Sequence, residues 1–125
     1  MKKPYIIYSE QWKKEIALCW GWTPKEYSAY LESKWVKDYS DPTGAWETTA
    51  TDTGWLLIWV KERDAIDMLV TLNHEIFHAT DWILRKAVWI TLSDDSDETY
   101  SYTIAWMQGK FYDYIKLDLN ITIKE

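Results

Sequence analysis

From Asp64 to about Ala87 the chain contains neither glycine nor proline, and apolar residues recur at Ile66, Leu69, Val70, Phe77, Ile83 and Leu84 with the spacing of one helical face. Leu72 and Ile76 widen that stripe, and Asp64 stands where an N-cap belongs. A helix apolar on most sides is predicted to be enclosed by the rest of the molecule. The chain has 125 residues, too few for two ordinary domains, so residues 1–125 are predicted to form a single domain around it.

The segments that precede this helix read as a hairpin. Residues 46–50 alternate in polarity, whereas Trp55 to Val60 is apolar on both faces and is the more buried strand, the two being joined across TDTG. Tyr5 to Tyr8 reads as a short strand, and the charged segment after Ser9 as helical as far as Cys19. Thr23-Pro24-Lys25-Glu26 has the order of a capping box with proline in the first turn, and its helix is expected to run to about Lys37. DYSDPTG follows as a loop. Beyond the long helix, ITLSDDSD breaks the periodicity, a third helix runs from about Asp95 to Ile115, and LDLNITIK alternates like a closing strand. No repeat, low-complexity tract or linker divides the chain. The expected class is α+β, a short antiparallel sheet packed on helices.

Composition narrows the function. Hydrophobic residues make up 47% of the chain, with ten Trp and nine Tyr, which argues for a folded core over disorder. A net charge of −6 without a basic stripe argues against nucleic acid as partner. Cys19, the single cysteine, excludes an internal disulfide or a four-cysteine zinc ribbon and reads as a small core residue. The apolar run YIIY near the start is too short for a secretory signal, and no window approaches a membrane span, so a soluble cytoplasmic protein without a membrane partner is expected. Trp55, Trp59, Trp82 and Trp106 fall in apolar patterns and are expected in the core, the rival reading being exposed indoles that form a platform for sugars or proteins.

Both histidines of the chain lie in NHEIFHATDW, four positions apart, with Glu75 directly after the first. Four residues apart on a helix is one face, so His74 and His78 can aim their imidazoles at a common atom, with Glu75 turned about 100° away. That is what a zinc hydrolase needs: two neutral nitrogens hold Zn²⁺, the metal acidifies a water, and the carboxylate takes its proton. The bland alternative buries two imidazoles and a carboxylate together, which is costly without a metal or a charge partner. A catalytic zinc wants a third protein ligand, and with no histidine left it must be a carboxylate. Glu98 is the candidate, because Glu98, Tyr102, Ala105, Gly109 and Tyr112 form one face of the third helix, and the small residues on it would let that helix approach the histidine helix. Asp94, Asp95 and Asp97 read as capping and helix-dipole residues.

HEIFH, then nineteen residues, then Glu98, resembles the gluzincin group of zinc metallopeptidases. The longer run NHEIFHATDWIL with DETYSY resembles very small, phage-encoded, single-domain members, and the similarity covers about residues 54 to 112. The resemblance implies a small zincin-like domain, in which the sheet packs on an active-site helix and a following glutamate-bearing helix. It further implies that His74, His78 and Glu98 are zinc ligands and that Glu75 is the general base. It also places the strand before the zinc helix at a sheet edge, where Trp55, Leu56 and Leu57 would bind an extended substrate. The chain departs from larger gluzincins in having no second domain and no third histidine, and in carrying Tyr102 where an aspartate often orients a ligand histidine. Asp81, one turn beyond His78, reads either as that orienting partner or as an ion-pair partner for Arg85. Tyr100 and Tyr102 are the phenols that could donate to a developing oxyanion, with Tyr102 taken as the catalytic candidate.

The expected function is therefore zinc-dependent hydrolysis of a peptide or protein substrate, in the host cytoplasm if the chain is phage-encoded. The alternative is a zinc-bearing, catalytically weak protein that binds a host or phage partner. Oligomeric state has no sequence signal here.

Overall fold

A computed structural model describes residues 2–34, 46–50, 56–87 and 89–116. Four strands form one sheet: β1 (Tyr5–Ser9), β2 (Lys14–Trp22), β3 (Trp46–Ala50) and β4 (Leu56–Lys61), in the order β1-β2-β4-β3. Helix α1 (Pro24–Ser33) follows β2, and α2 (Ala65–Trp82) follows β4. A π-helical turn, Ile83–Ala87, continues α2, and α3 (Asp97–Ile115) comes last. The class is α+β, as expected.

The sheet is mixed, which corrects the expected antiparallel arrangement. β1–β2 and β3–β4 pair antiparallel, but β2 and β4 run parallel, with Leu18 opposite Ile58. Parallel neighbours need a crossover between them. Helix α1 lies in that crossover and covers one face of the sheet, where Tyr27, Tyr30 and Leu31 meet Ala17, Cys19, Trp22, Leu57 and Trp59. Helices α2 and α3 cover the other face, where Leu72, Ile76, Met107 and Phe111 pack on Ile16, Leu18, Leu56 and Ile58. The core is thus two layers, one on each side of the sheet.

That arrangement explains the misread segment before Cys19, which is strand β2 and not helix. A strand covered on both faces shows a continuous apolar run in place of alternation, and such a run does not separate strand from helix by period alone. Cys19 is fully buried, and burial pushes its thiol pKa far above the ordinary value. The cap signals, being local, were accurate. Thr23 and Glu26 form the reciprocal capping box of α1, and the Asp64 carboxylate accepts from the Asp67 N–H at 3.0 Å. Residues 35–37, the turn TDTG, Trp55 and the expected closing strand lie outside the described residues.

Two expectations about helix faces are overturned. α2 is buried on one side only: Met68, Leu72, Ile76 and Ala79 face the sheet, while Ile66 and Val70 are 72% and 64% exposed. On α3, Tyr100, Thr103, Met107, Phe111 and Ile115 are buried, whereas Tyr102, Ala105 and Gly109 are exposed. A Cβ placed on Gly109 would meet nothing within 4 Å, so this stripe of small residues does not seat α3 against α2. Asn73 joins the two helices instead, its Oδ1 accepting from Gln108 Nε2 at 2.8 Å and from the Tyr112 hydroxyl at 2.6 Å. Among the described residues no helix is long and apolar enough to cross a membrane.

Of the tryptophans expected in the core, Trp59 is fully buried and Trp82 and Trp106 are partly buried; Trp89, for which the sequence raises no such expectation, is exposed. Trp59 stacks on Tyr27 with ring centroids 5.1 Å apart and donates from Nε1 to the Trp22 carbonyl at 2.8 Å. Trp59→Ala is expected to cost about 3–5 kcal/mol in urea unfolding, from lost burial and the cavity left behind. Trp59→Phe is expected to cost less, about 1–3 kcal/mol, mainly by leaving that carbonyl without its donor.

Candidate metal centre and its surroundings

The histidines project from the outer side of α2, away from the sheet. Their Nε2 atoms are 3.0 Å apart and their rings meet edge to face at 77°. Two nitrogens sharing one tetrahedral zinc at about 2.0–2.1 Å would stand roughly 3.3 Å apart, so the pair fits one edge of such a site with little adjustment. The spacing also suits a direct N–H···N bond, with one ring donating.

Glu75, one residue on, is turned toward the neighbouring edge strand and is 1% exposed. Thr48 of β3 donates its hydroxyl to Glu75 Oε1 and lies 3.3 Å from the Glu75 carbonyl oxygen. The other carboxylate oxygen, Oε2, is buried with no hydrogen-bond partner and lies 3.9 Å from His74 Nε2. A buried carboxylate with one oxygen unsatisfied is costly in an ordinary core. A cation or a polar ligand beside the imidazoles would relieve that cost.

The other expected site residues lie elsewhere. Glu98 is exposed in the first turn of α3, and no set of three or more His, Cys, Asp or Glu able to hold a metal is gathered among the described residues. Part of the reason is helical phase. α3 turns Tyr100 toward α2, and Glu98, two positions earlier, is rotated about 200° from it. Asp97 and Glu98 occupy the first turn of α3 and Ser96 is its N-cap, so none of the aspartates of the run is the cap itself.

Asp81 is held by Arg85 Nη2, 3.1 Å from its Oδ2, and by the Tyr100 hydroxyl, which donates to its Oδ1 at 2.8 Å. The Arg85 alternative is therefore what the structure shows. Tyr102 is 73% exposed and lines a groove of about 430 Å³ with Tyr8, Trp12, Trp106 and Lys110, between α3 and the β1–β2 turn. It belongs to that groove and not to the histidine site. Leu56 and Leu57 are fully buried in β4, an interior strand whose two sides are taken by β2 and β3. Among the described residues the sheet edge beside α2 is β3, so the expectation of a sheet edge in β4 is corrected by one strand.

Sequence reasoning missed Thr48 and Asn73. The only signal for Thr48 was its place on an alternating strand paired to the one that feeds the histidine helix; for Asn73 it was a polar residue beside His74 on an otherwise apolar face. Comparison with protein-family models, curated proteins and solved structures finds no match for this chain.

Burial, the bond to Asp81 and the Asp81 charge push the Tyr100 pKa up to about 12, against the weaker opposing effect of Arg85. An unfolded tyrosine ionises near 10, so the folded state holds this proton more tightly. The resulting stabilisation is complete below about pH 10 and is lost as pH rises from there through about 12. Denaturant titrations over that window should show wild type losing stability more steeply than Tyr100→Phe. A parallel loss in both would overturn the assignment.

Proposed function

We propose that the protein is a zinc-dependent peptide hydrolase of gluzincin-like type, acting in the cytoplasm. The observation that carries this reading is the pair of imidazole nitrogens 3.0 Å apart beside a buried carboxylate whose second oxygen has no partner. His74 and His78 would hold the metal, and Glu98 is the third ligand proposed, on the strength of the sequence spacing alone. Zinc at this place would supply Lewis acidity and ready generation of hydroxide near neutral pH.

The remaining steps fall to the chain's own residues. Glu75 Oε2 takes a proton from the attacking water, whose oxygen forms the bond to the carbonyl carbon. When the C–N bond breaks, Glu75 returns that proton to the leaving amine and ends in its starting state. An extended peptide would add along the free side of β3, gaining main-chain hydrogen bonds as a fifth strand. Tyr100 is committed to Asp81 and Tyr102 to its own groove, so neither is assigned to the oxyanion.

A second reading, a zinc-bearing protein that binds a host or phage partner with little turnover, is favoured by one observation: no third ligand is gathered with the histidines among the described residues.

Elemental analysis joined to a peptide-library digest separates the readings. Wild type should carry about one zinc and cleave peptides, while Glu75→Gln should keep the metal and lose about 10²–10⁴ of the rate. Glu98→Ala should weaken zinc binding at least about tenfold. Zinc without cleavage by wild type would favour the binding protein, and absence of zinc after reconstitution would overturn both readings.

A further inference from the structure

We infer that Thr48 is a positioning residue for Glu75: its hydroxyl holds one carboxylate oxygen and so sets the direction in which the other faces the imidazole of His74. The catalytic half of this inference rests on the hydrolase reading above, and the structural half does not.

Thr48 lies in the middle of the edge strand β3, opposite Ile58 of β4. Successive side chains of a strand point to opposite faces. Thr49 is turned toward α1, where its Oγ1 accepts from the Tyr27 hydroxyl at 3.3 Å, and Thr48 is turned toward α2, where it meets Glu75. The edge strand is thereby tied to both helical layers through adjacent threonines.

The Thr48 hydroxyl has one proton and two acceptors within reach, Glu75 Oε1 and the Glu75 carbonyl oxygen. An ionised carboxylate accepts more strongly than a carbonyl, and this carbonyl already stands within the hydrogen-bonded ladder of α2, so the proton goes to Oε1. With one oxygen held, the plane and direction of the carboxylate are set, and the oxygen not bonded to Thr48 faces the imidazole of His74. Oε2 stays on the side of the imidazoles, 3.9 Å from His74 Nε2, where a water proton would arrive. When Oε2 takes that proton, Oε1 still accepts from Thr48, so the bond persists in both states of the base. Because the Thr48 hydroxyl faces Glu75, and a peptide pairing with β3 would use main-chain groups, loss of the hydroxyl would act on turnover and not on binding.

The test uses Thr48→Val, which removes the hydroxyl at nearly constant shape, and Thr48→Ser, which restores it. In zinc-loaded protein, Thr48→Val should lower kcat about 10- to 100-fold with KM and zinc content near wild type, and Thr48→Ser should recover most of the loss. In metal-free protein, a double-mutant cycle of Thr48→Val with Glu75→Leu, which has no acceptor, should be non-additive by about threefold or more in the unfolding constant. Thr48→Ala supplies the same deletion if valine disturbs the strand. An additive cycle overturns the inference whatever the activity, and so does a Thr48→Ser enzyme as impaired as Thr48→Val. A non-additive cycle in a wild-type protein that cleaves nothing upholds the contact and overturns the hydrolase reading instead.

Discussion

Parallel pairing of β2 with β4 is the constraint from which the rest of the architecture follows. Because the two strands run the same way, the chain cannot turn back between them in a hairpin and must cross over, and α1 on one face of the sheet is part of that crossing. β4 then returns along a strand already paired to β1, so β3 can only be the outermost strand on the far side. The next element, α2, has the opposite face to cover, and it packs there with Leu72 and Ile76 against Leu56 and Ile58. Its outer side remains uncovered, and this is the side that carries both histidines.

Local features of the fold were legible in the sequence, and non-local ones were not. The caps at Thr23 and Asp64 were readable because a cap involves residues three apart in the chain. The strands at Tyr5 and Leu56 were readable from β-branched and aromatic content. β2 was misread because Ile16, Leu18 and Trp20 face one layer while Ala17, Cys19 and Trp22 face the other, so no polar residue interrupts the core of the strand to reveal its period. The same double burial marked β4 as the more buried strand of its hairpin, yet its place in the sheet depends on which partners it finds, and no periodicity encodes partners.

The candidate site divides along the same line. His74, Glu75 and His78 were recoverable because a helix fixes their relative directions within a single turn or so. Glu98 required the phase of α3 against α2, and that phase was inferred from Ala105 and Gly109 on the principle that small residues mark close approach. Here they are exposed, and the helices meet through the larger Tyr100, Gln108 and Tyr112. Tyr102 was lost by the same error of phase, since it shares the face of Ala105. Small residues mark a helix contact only where the neighbouring side chains on that face are also apolar, and Glu98 was already a sign to the contrary.

The position of Glu75 bears on why this site differs from a packed core. A carboxylate that is 1% exposed, with one oxygen bonded to Thr48 and the other without a partner, costs more than the glutamine or leucine that would fill the same space, because neither carries a charge to desolvate. The chain as a whole carries a net charge of −6, so its overall field does not compensate a buried negative charge. The compensation has to be local, and the groups next to Oε2 are imidazoles, which offer either a proton or a pair of ligands for a cation. A cation held by the two imidazole nitrogens would place positive charge beside Oε2, which is what the proposed metal centre offers this carboxylate.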